Sequence, residues 1–460
     1  MSVPKREPGT DGLVVAKKPG NAGGAREPDA LVSEAGQPVR GGAVSEAKSY
    51  VILKQLVWDA YQRVKANRGA AGVDGESLQA FEQDLKNNLY KVWNRMSSGS
   101  YLPPPVRLVE IEKEDGGIRP LGIPTVADRV AQTVVKMVLE PALEPHFHVD
   151  SYGYRPGKSA LDAVGVARTR CWSADWVIDL DIKSFFDSIP HDLLERAVAH
   201  HTDVPWVRLS IARWLRAPMQ HADGRREERT TGTPQGGVMS PLLANLFLHY
   251  VFDRWMQRTY PGIPFERYAD DAIVHCRSES QALELVDTIR GRFRQCGLAL
   301  HPTKTRIVYC KDDHRRREYK HIAFDFLGYT FQPRRAMNRQ GKVFVRFLPA
   351  ISTKAATAIR QTIRAWRMAS TRTHQSLQEI ARIVNPVVRG WLHYYGRYYR
   401  SQCVQVLRYL NETLGLWVRR KYKRFQFRKR ASMHWLGRVA QRDTRLFVLW
   451  QLGAKPATGA

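Results

Sequence analysis

Two adjacent carboxylates, Asp270 and Asp271, lie inside an otherwise apolar and aromatic stretch, Phe265-Glu266-Arg267-Tyr268-Ala269-Asp270-Asp271-Ala272-Ile273-Val274-His275. The flanks read as two short strands, and so few residues separate them that the acids must sit at the tip of a tight hairpin. Neighbouring carboxylates repel one another, and an apolar setting tolerates such a pair when divalent cations share its charge. An Asp-Asp pair alone is also common in plain solvated turns, so the apolar flanks matter. A third acid, Asp181, ends a separate apolar run, Trp176-Val177-Ile178-Asp179-Leu180-Asp181-Ile182. Three carboxylates on two strands are the minimum for clamping two Mg²⁺ ions about 3.5–4 Å apart, the arrangement that activates a 3′-hydroxyl and neutralises departing pyrophosphate. Mn²⁺ could substitute. The chemistry expected is nucleotidyl transfer, with Asp181, Asp270 and Asp271 as catalytic metal ligands. By strand alternation Asp179 shares a face with Asp181.

The elements that must position these acids form a mixed pattern. Residues 1–46 are rich in Gly, Ala, Pro, Glu and Lys with few long apolar side chains, which predicts a disordered leader. From Tyr50 to Trp93, Leu53, Leu56, Val57, Ala60, Tyr61 and Val64 recur at helical spacing, and GAAGVDG at 69–75 breaks the run. Val106 to Glu112 alternates toward Asp115-Gly116-Gly117, predicting a β-hairpin. Helices are expected over 125–145 and 157–171, and strands and helices alternate through 237–260, 265–276 and 280–296. Beyond Leu348 the pattern is helical throughout, over 352–369, 375–398 and 402–426. The fold class expected is α+β, with a mixed body and a helical C-terminal domain.

Charge narrows the partners. The 460 residues carry 72 Lys and Arg against 44 Asp and Glu, a formal charge of +28. From residue 341 onward 24 basic residues face only Glu379, Glu412 and Asp443, so the last quarter holds most of the excess. A polyanion partner explains that surplus, and interleaving with Trp, Tyr and Phe favours nucleic acid over a membrane surface. The five cysteines, Cys171, Cys276, Cys296, Cys310 and Cys403, are scattered and never spaced as CxxC, against a disulfide framework or a zinc site. With no signal-peptide core and no apolar run of membrane length, a cytoplasmic protein is expected.

Tyr268-Ala269-Asp270-Asp271 resembles the YxDD box of reverse transcriptases, and DIKSFFDSIPH resembles the aspartate strand of the same palm. GAAGVDG, GGIRPLGIPTVADRVAQ, DSYGYRPGKSALDAV, GTPQGGVMSPLLANLFLHYVFD, GLALHPTKT and FDFLGYTF follow in order, similar to successive blocks of the group II intron branch over about 50–335. Asn385-Pro386-Val387-Val388-Arg389-Gly390-Trp391-Leu392-His393-Tyr394-Tyr395 resembles that branch's maturase motif.

The resemblance implies a right-hand polymerase with fingers and palm over 47–340, an all-helical thumb/maturase domain over 341–427 and a basic DNA-binding tail over 428–460. It implies metal ligation by Asp181, Asp270 and Asp271 and a steric gate against ribonucleotides at Phe186, while core packing accounts for one ring of the Phe185–Phe186 pair. It implies contacts to the incoming dNTP from Lys113, Arg119 and Gln235, and a basic residue near the active site at Lys304. Intron RNA and DNA would meet the basic-aromatic tail at Arg389, Trp391, Tyr394, Arg397, Arg400, Arg419, Arg420, Lys421, Arg428, Lys429 and Arg430, although aromatic residues at helical spacing more often fill cores.

The activity implied is copying of intron RNA into cDNA during retrohoming, with maturase assistance to splicing. No endonuclease cluster follows Leu446, which implies a primer from elsewhere, such as nascent strands at a replication fork. Two other readings share parts of this pattern: a domesticated polymerase in DNA repair or defence, and a non-catalytic RNA chaperone. The oligomeric state, monomer or dimer, is not written in local motifs.

Overall fold

The computed structural model describes residues 48–112, 117–338 and 340–458. The expected leader, Lys113 and most of the Asp115-Gly116-Gly117 turn lie outside the described residues. Eleven strands occur among those described: β1 (Val106–Glu112), β2 (Ile118–Ile123), β3 (Trp176–Leu180), β4 (Met219–Gln220), β5 (Arg226–Glu227), β6 (Phe265–Tyr268), β7 (Asp271–Cys276), β8 (Arg306–Tyr309), β9 (Phe324–Phe326), β10 (Tyr329–Met337) and β11 (Val343–Ile351). They form three sheets, ordered β2-β1-β4-β5, β6-β7-β3-β8 and β11-β10-β9.

The second sheet is the palm. β3 lies between β7 and β8, antiparallel to both, so Val177, Ile178 and Leu180 are covered on each face. That double burial explains why the run reads as continuously apolar and does not alternate. Helix Glu279–Gln295 closes one face with Leu285, Val286, Ile289 and Phe293, and Ser278 caps its start by accepting from the Gln281 amide. The same core extends through helix Val126–Leu143 to helix Lys54–Asn67. The first sheet, the fingers, is the β1–β2 hairpin with β4 alongside in parallel, as Val106↔Met219 and Arg107↔Gln220.

The C-terminal part is helical: Thr353–Ala365, Leu377–Tyr395, Arg400–Lys421 and Lys429–Arg442, then the short Val448–Gln451. A capping box between Ser376 and Glu379 begins the helix that carries the maturase-like motif. Ile363, Ile380, Leu407, Leu414, Trp417, Leu436 and Trp450 share one core.

Two of the expected boundaries are corrected. A division at 340/341 would cut the β10–β11 hairpin, which pairs continuously from Tyr329↔Ile351 to Met337↔Val343. Its rings Phe331 and Phe347 pack with Phe324 and with Ala163, Val164 and Ala167 of helix Ala160–Arg170, so the hairpin belongs with the palm. Nor is 428–460 a separate tail. Leu436, Ala440, Phe447, Leu449 and Trp450 are fully buried in the thumb core, and Trp450 donates its indole N–H to Asn411 at 2.9 Å. Burial of that much apolar surface outweighs the segment's charge, which stays on its outer side.

Candidate active site

The palm register brings the three acids together. β3 and β7 pair from Trp176↔Cys276 to Leu180↔Ala272, and one further step along that register sets Asp181 against Asp271. β6 and β7 meet at Tyr268↔Asp271, leaving Ala269 and Asp270 as a two-residue turn. Ala269 adopts φ +57°, a left-handed conformation unfavourable for a residue with a Cβ.

Three sets of contacts hold the turn. Ser151 bridges in parallel to Arg267, adding residues 150–154 as an edge beside β6. Gly153 lies so close that a Cβ there would meet the Ala269 nitrogen at 2.4 Å. Arg267, 1% exposed, donates Nη1 to the Ala269 carbonyl at 2.9 Å and to Asn245 Oδ1 at 3.0 Å. Its Nε and Nη2 reach both carboxylate oxygens of fully buried Asp253 at 2.7 and 2.6 Å, and Nη2 also reaches Ser151 Oγ at 2.8 Å. Asp253 ends a π-helical turn, His249–Asp253, whose extra residue per turn directs His249, Val251, Phe252 and Asp253 all inward. Asn245, on the preceding helix, donates to the Gly153 carbonyl at 2.6 Å.

The electrostatics match the crowding. Burial, followed by the repulsion of Asp181, pushes Asp270 up to about 6 against the pull of Arg119. Asp271 is raised by burial and then by Asp270. Asp179 is pushed up to about 7 by burial and by Asp181, with Arg306 directly across on β8 working the other way. Among the described residues no group of three or more His, Cys, Asp or Glu side chains is arranged to hold a metal ion as it stands. Asp181, Asp270 and Asp271 are nonetheless hard oxygen donors that repel one another, and a divalent cation would relieve that repulsion, so their donor chemistry suits such an ion.

The dNTP candidates are knit together. Arg119 on β2 donates Nε to Gln235 Oε1 at 2.8 Å, and the Gln235 carbonyl accepts from the Gly122 amide at 2.6 Å. Gly236, at φ +108°, lets this loop pass the fingers, since a Cβ would meet the Gly122 carbonyl oxygen at 2.6 Å. The Thr233 amide donates to the Phe186 carbonyl at 2.7 Å, linking the loop to the short helix Phe185–Ser188 that follows the aspartate strand. Phe185 is core at 2% exposed, and Phe186, at 9%, is the ring nearer the surface. Thr305 of the HPTKT loop donates to the Asp181 carbonyl at 3.2 Å, which places exposed Lys304 one residue from the acid strand.

Sequence reasoning missed Arg267, Asp253, Asn245 and Gly153, because a buried hydrogen-bond network leaves no spacing signature. It also missed Tyr154, which bends at φ +57° against Tyr268 and whose hydroxyl is raised by burial and then by Asp270.

The tail candidates divide in two. Arg389, Arg397, Arg400, Arg420, Arg428, Lys429 and Arg430 are exposed and Arg419 partly so. Three others have their groups committed inside the fold. Tyr394 donates its hydroxyl to the Leu327 carbonyl at 2.8 Å, and Lys421 donates to the carbonyls of Thr373 and Gln375 at 2.7 Å each. Trp391 stacks on Trp366 at 5.7 Å. Asn385 of the motif holds the Leu446 carbonyl and the Val448 amide, tying down the C-terminal segment.

Residues 111–331 match the family model described as reverse transcriptase (RNA-dependent DNA polymerase), and 356–435 match the group II intron maturase-specific domain. Protein YkfC of Escherichia coli K12 is 30% identical over 328 residues, covering 62% of this chain and 83% of that protein. This chain belongs to the group II intron reverse transcriptase/maturase family.

Group II intron-encoded protein LtrA of Lactococcus lactis is 33% identical over 206 residues, 44% of this chain and 33% of LtrA. Nuclear intron maturase 4 of Arabidopsis thaliana is 21% identical over 204 residues, 44% of this chain and 24% of that protein. The aligned segment thus spans about a third or less of these two longer relatives. As a family member the chain is an RNA-directed DNA polymerase of α+β fold with a maturase domain. Reverse transcriptases work with divalent metal ions, dNTPs and DNA, and group II maturases bind intron RNA. No described helix is long and apolar enough to cross a membrane.

Proposed function

We propose that this chain copies intron RNA into DNA during retrohoming, using two Mg²⁺ ions at Asp181, Asp270 and Asp271, and that its thumb grips the intron RNA to assist splicing. The observation that carries the reading is the palm register, which sets Asp181 against Asp271 at the β6–β7 tip. When bound, the ions supply activation of the primer 3′-hydroxyl and neutralisation of the departing pyrophosphate; Mn²⁺ would serve in their place.

The chain's own residues do the rest. Arg267 and Gly153 fix the turn so that both acids face the site. Arg119 and Gln235, held to each other, present a forked cation and an amide to the triphosphate and base edge, with Lys113 as a further cation. Phe186 backs the sugar and excludes a 2′-hydroxyl, and Lys304 adds charge beside the acid strand. On the thumb, Arg382, Arg389, His393 and Arg397 follow one another at intervals of seven, four and four residues and are exposed, a stripe suited to an RNA backbone. Arg400, Arg419, Arg420, Arg428, Lys429 and Arg430 extend the cationic surface, with the last three toward DNA.

The test is dNTP incorporation on a primed RNA template with Mg²⁺. The Asp270→Asn plus Asp271→Asn variant should lose on the order of 10³-fold or more of the rate, as expected when metal-borne charge stabilisation is removed. Its intron RNA affinity should stay within about threefold, a difference of less than 1 kcal/mol. A wild type that binds RNA tightly but extends no primer would replace this reading with an RNA chaperone.

A further inference from the structure

Away from the acidic end of the palm, positive charge collects without a counterion where helix Ala160–Arg170, the β10–β11 hairpin and the thumb meet. The Arg168 guanidinium lies 4.7 Å from the centre of the Trp172 ring and Arg346 lies 4.9 Å from the same centre. The two cations are therefore within a Debye length of each other, about 10 Å at 0.1 M salt. Arg168 also lies over the thumb ring Tyr398 at 5.6 Å. Arg346 is directly opposite Arg334 in the β10–β11 register, so two like charges occupy one cross-strand pair. Such pairs destabilise a sheet unless something offsets them.

Among the described residues no carboxylate forms an ion pair with either of them, and nearby Asp313 is taken up by the Val345 amide at 2.8 Å. Arg334 is satisfied by neutral acceptors: the carbonyls of Leu348 and Thr330, both at 3.2 Å, and Gln402 Oε1 at 2.6 Å. Neither Arg168 nor Arg346 has a carboxylate partner among the described residues, whereas nearby Arg315 is paired with Asp312 at 2.5 Å. Asp162, six residues before Arg168, is committed to the cap of its own helix. Arg168 Nε and Trp172 Nε1 are buried with no acceptor, so the cluster is short of acceptors as well as of negative charge. Burial lowers the pKa of Arg168, Tyr398 works the other way, and Arg346 adds a smaller push downward. Aromatic faces hold guanidinium groups but cannot neutralise them. What completes the cluster is an anion with several acceptor oxygens, and two guanidinium forks suit a phosphate.

We propose that Arg168, Trp172 and Arg346 form a phosphate-binding site for a nucleic-acid backbone at the seam of palm and thumb. This rests on the reading of the chain as a nucleic-acid polymerase. The backbone has two sources, the template–primer duplex or the intron RNA, and the test separates them.

Anisotropy titrations over a salt series would use two probes, a labelled RNA template–DNA primer duplex and a folded group II intron transcript. The variants are Arg168→Gln with Arg346→Gln, Arg346→Gln alone and Trp172→Phe, which keeps a ring and removes the indole N–H. Arg290→Gln, exposed and beside Asp287 on another helix, controls for net charge. The double variant should bind one or both probes about tenfold more weakly at 0.1 M salt. The slope of log K against log salt should fall by about 0.7–0.9 per lost phosphate contact. Weakening on the duplex alone assigns the strand to template–primer, and weakening on the transcript alone assigns it to intron RNA. Without nucleic acid, Arg346→Gln should leave the Tm unchanged or raise it, because a like charge is removed.

Affinities and slopes matching those of Arg290→Gln on both probes would overturn the proposal, as would a fall in Tm for Arg346→Gln without any effect on binding. In those cases a wild type that still extends primers leaves the polymerase reading intact. A wild type that extends nothing removes that reading instead.

Discussion

In the palm, Arg267 and Asp253 are almost completely buried and joined by two hydrogen bonds, while buried Glu266 is shared between Arg170 and His275, each at 2.6 Å. In the thumb, Arg389, Arg397 and Arg400 stand in solvent with no carboxylate partner among the described residues. The same residue type thus does two jobs. A buried charge is tolerated only when paired and fully hydrogen-bonded, and then it fixes geometry. An exposed cation costs the fold little and remains free for an external anion. Palm arginine fixes where the β6–β7 turn sits, and thumb arginine stays available to an external anion.

The sharpest way to break this contrast is Arg267→Ala, which strands Asp253 in the interior. It should cost about 3–5 kcal/mol of stability, read as a lowered denaturant midpoint. Arg267→Met with Asp253→Leu should recover most of that stability. Polymerisation should stay at least about tenfold down, because the Ala269 carbonyl has lost a donor worth roughly 1.4 kcal/mol in positioning. If the double variant regained full activity, Arg267 would be only a structural residue.

On the thumb, the large effect should come from an apolar position. Trp450→Ala empties a core site and leaves Asn411 short of a partner, for about 3–5 kcal/mol. Intron RNA binding should fall as the thumb loosens, and a thumb transition should separate from that of the palm in calorimetry.

A smaller effect tests the palm's tolerance of added charge. His249 is buried, and that burial holds its pKa down at about 4. The unfolded chain takes up this proton near 6.5, so between those values it binds more protons than the fold, and stability falls as pH drops from 7 to 5. This group's share of the loss should be about 1–2 kcal/mol by urea titration at each pH, and His249→Gln should remove that share while leaving the part due to His201, which is likewise held down at about 4.

The smallest effect on folding belongs to Arg389→Gln with Arg397→Gln, which should stay within about 0.5 kcal/mol of wild type. The same variant should bind intron RNA more weakly, with a salt slope reduced by about one to two units. A substantial loss of stability would place these side chains in the fold and erase the contrast.

What could be read before the structure follows the physical range of each signal. The acid strand and the YADD hairpin were legible because apolar runs and a two-residue turn are local, and the strand placements at 176–180 and 265–276 agree with the palm sheet. The family blocks add order along the chain. The Arg267 clamp was not legible, since its partners at 151, 245 and 253 come from three separate elements. The resemblance misplaced both ends of the thumb. It set 428–460 apart as a tail although Leu436, Ala440 and Trp450 are core, and it put Tyr394 and Trp391 among the nucleic-acid contacts although both pack against the thumb core, as aromatic residues at helical spacing more often do. The boundary at 340 came with the family resemblance and cut a hairpin that spans it, whereas the change of period at Leu348 lies near the hairpin's end.

The return of the final helices into the thumb also has a consequence for synthesis. The palm sheet has all its strands once Tyr309 has emerged from the ribosome, whereas the thumb core waits for Trp450 and Ala454. At ~5–20 residues per second, that interval is on the order of 10 s. During it the nascent protein carries a closed catalytic sheet and an unfinished clamp, so the order of translation itself puts the capacity for chemistry ahead of the capacity to hold RNA.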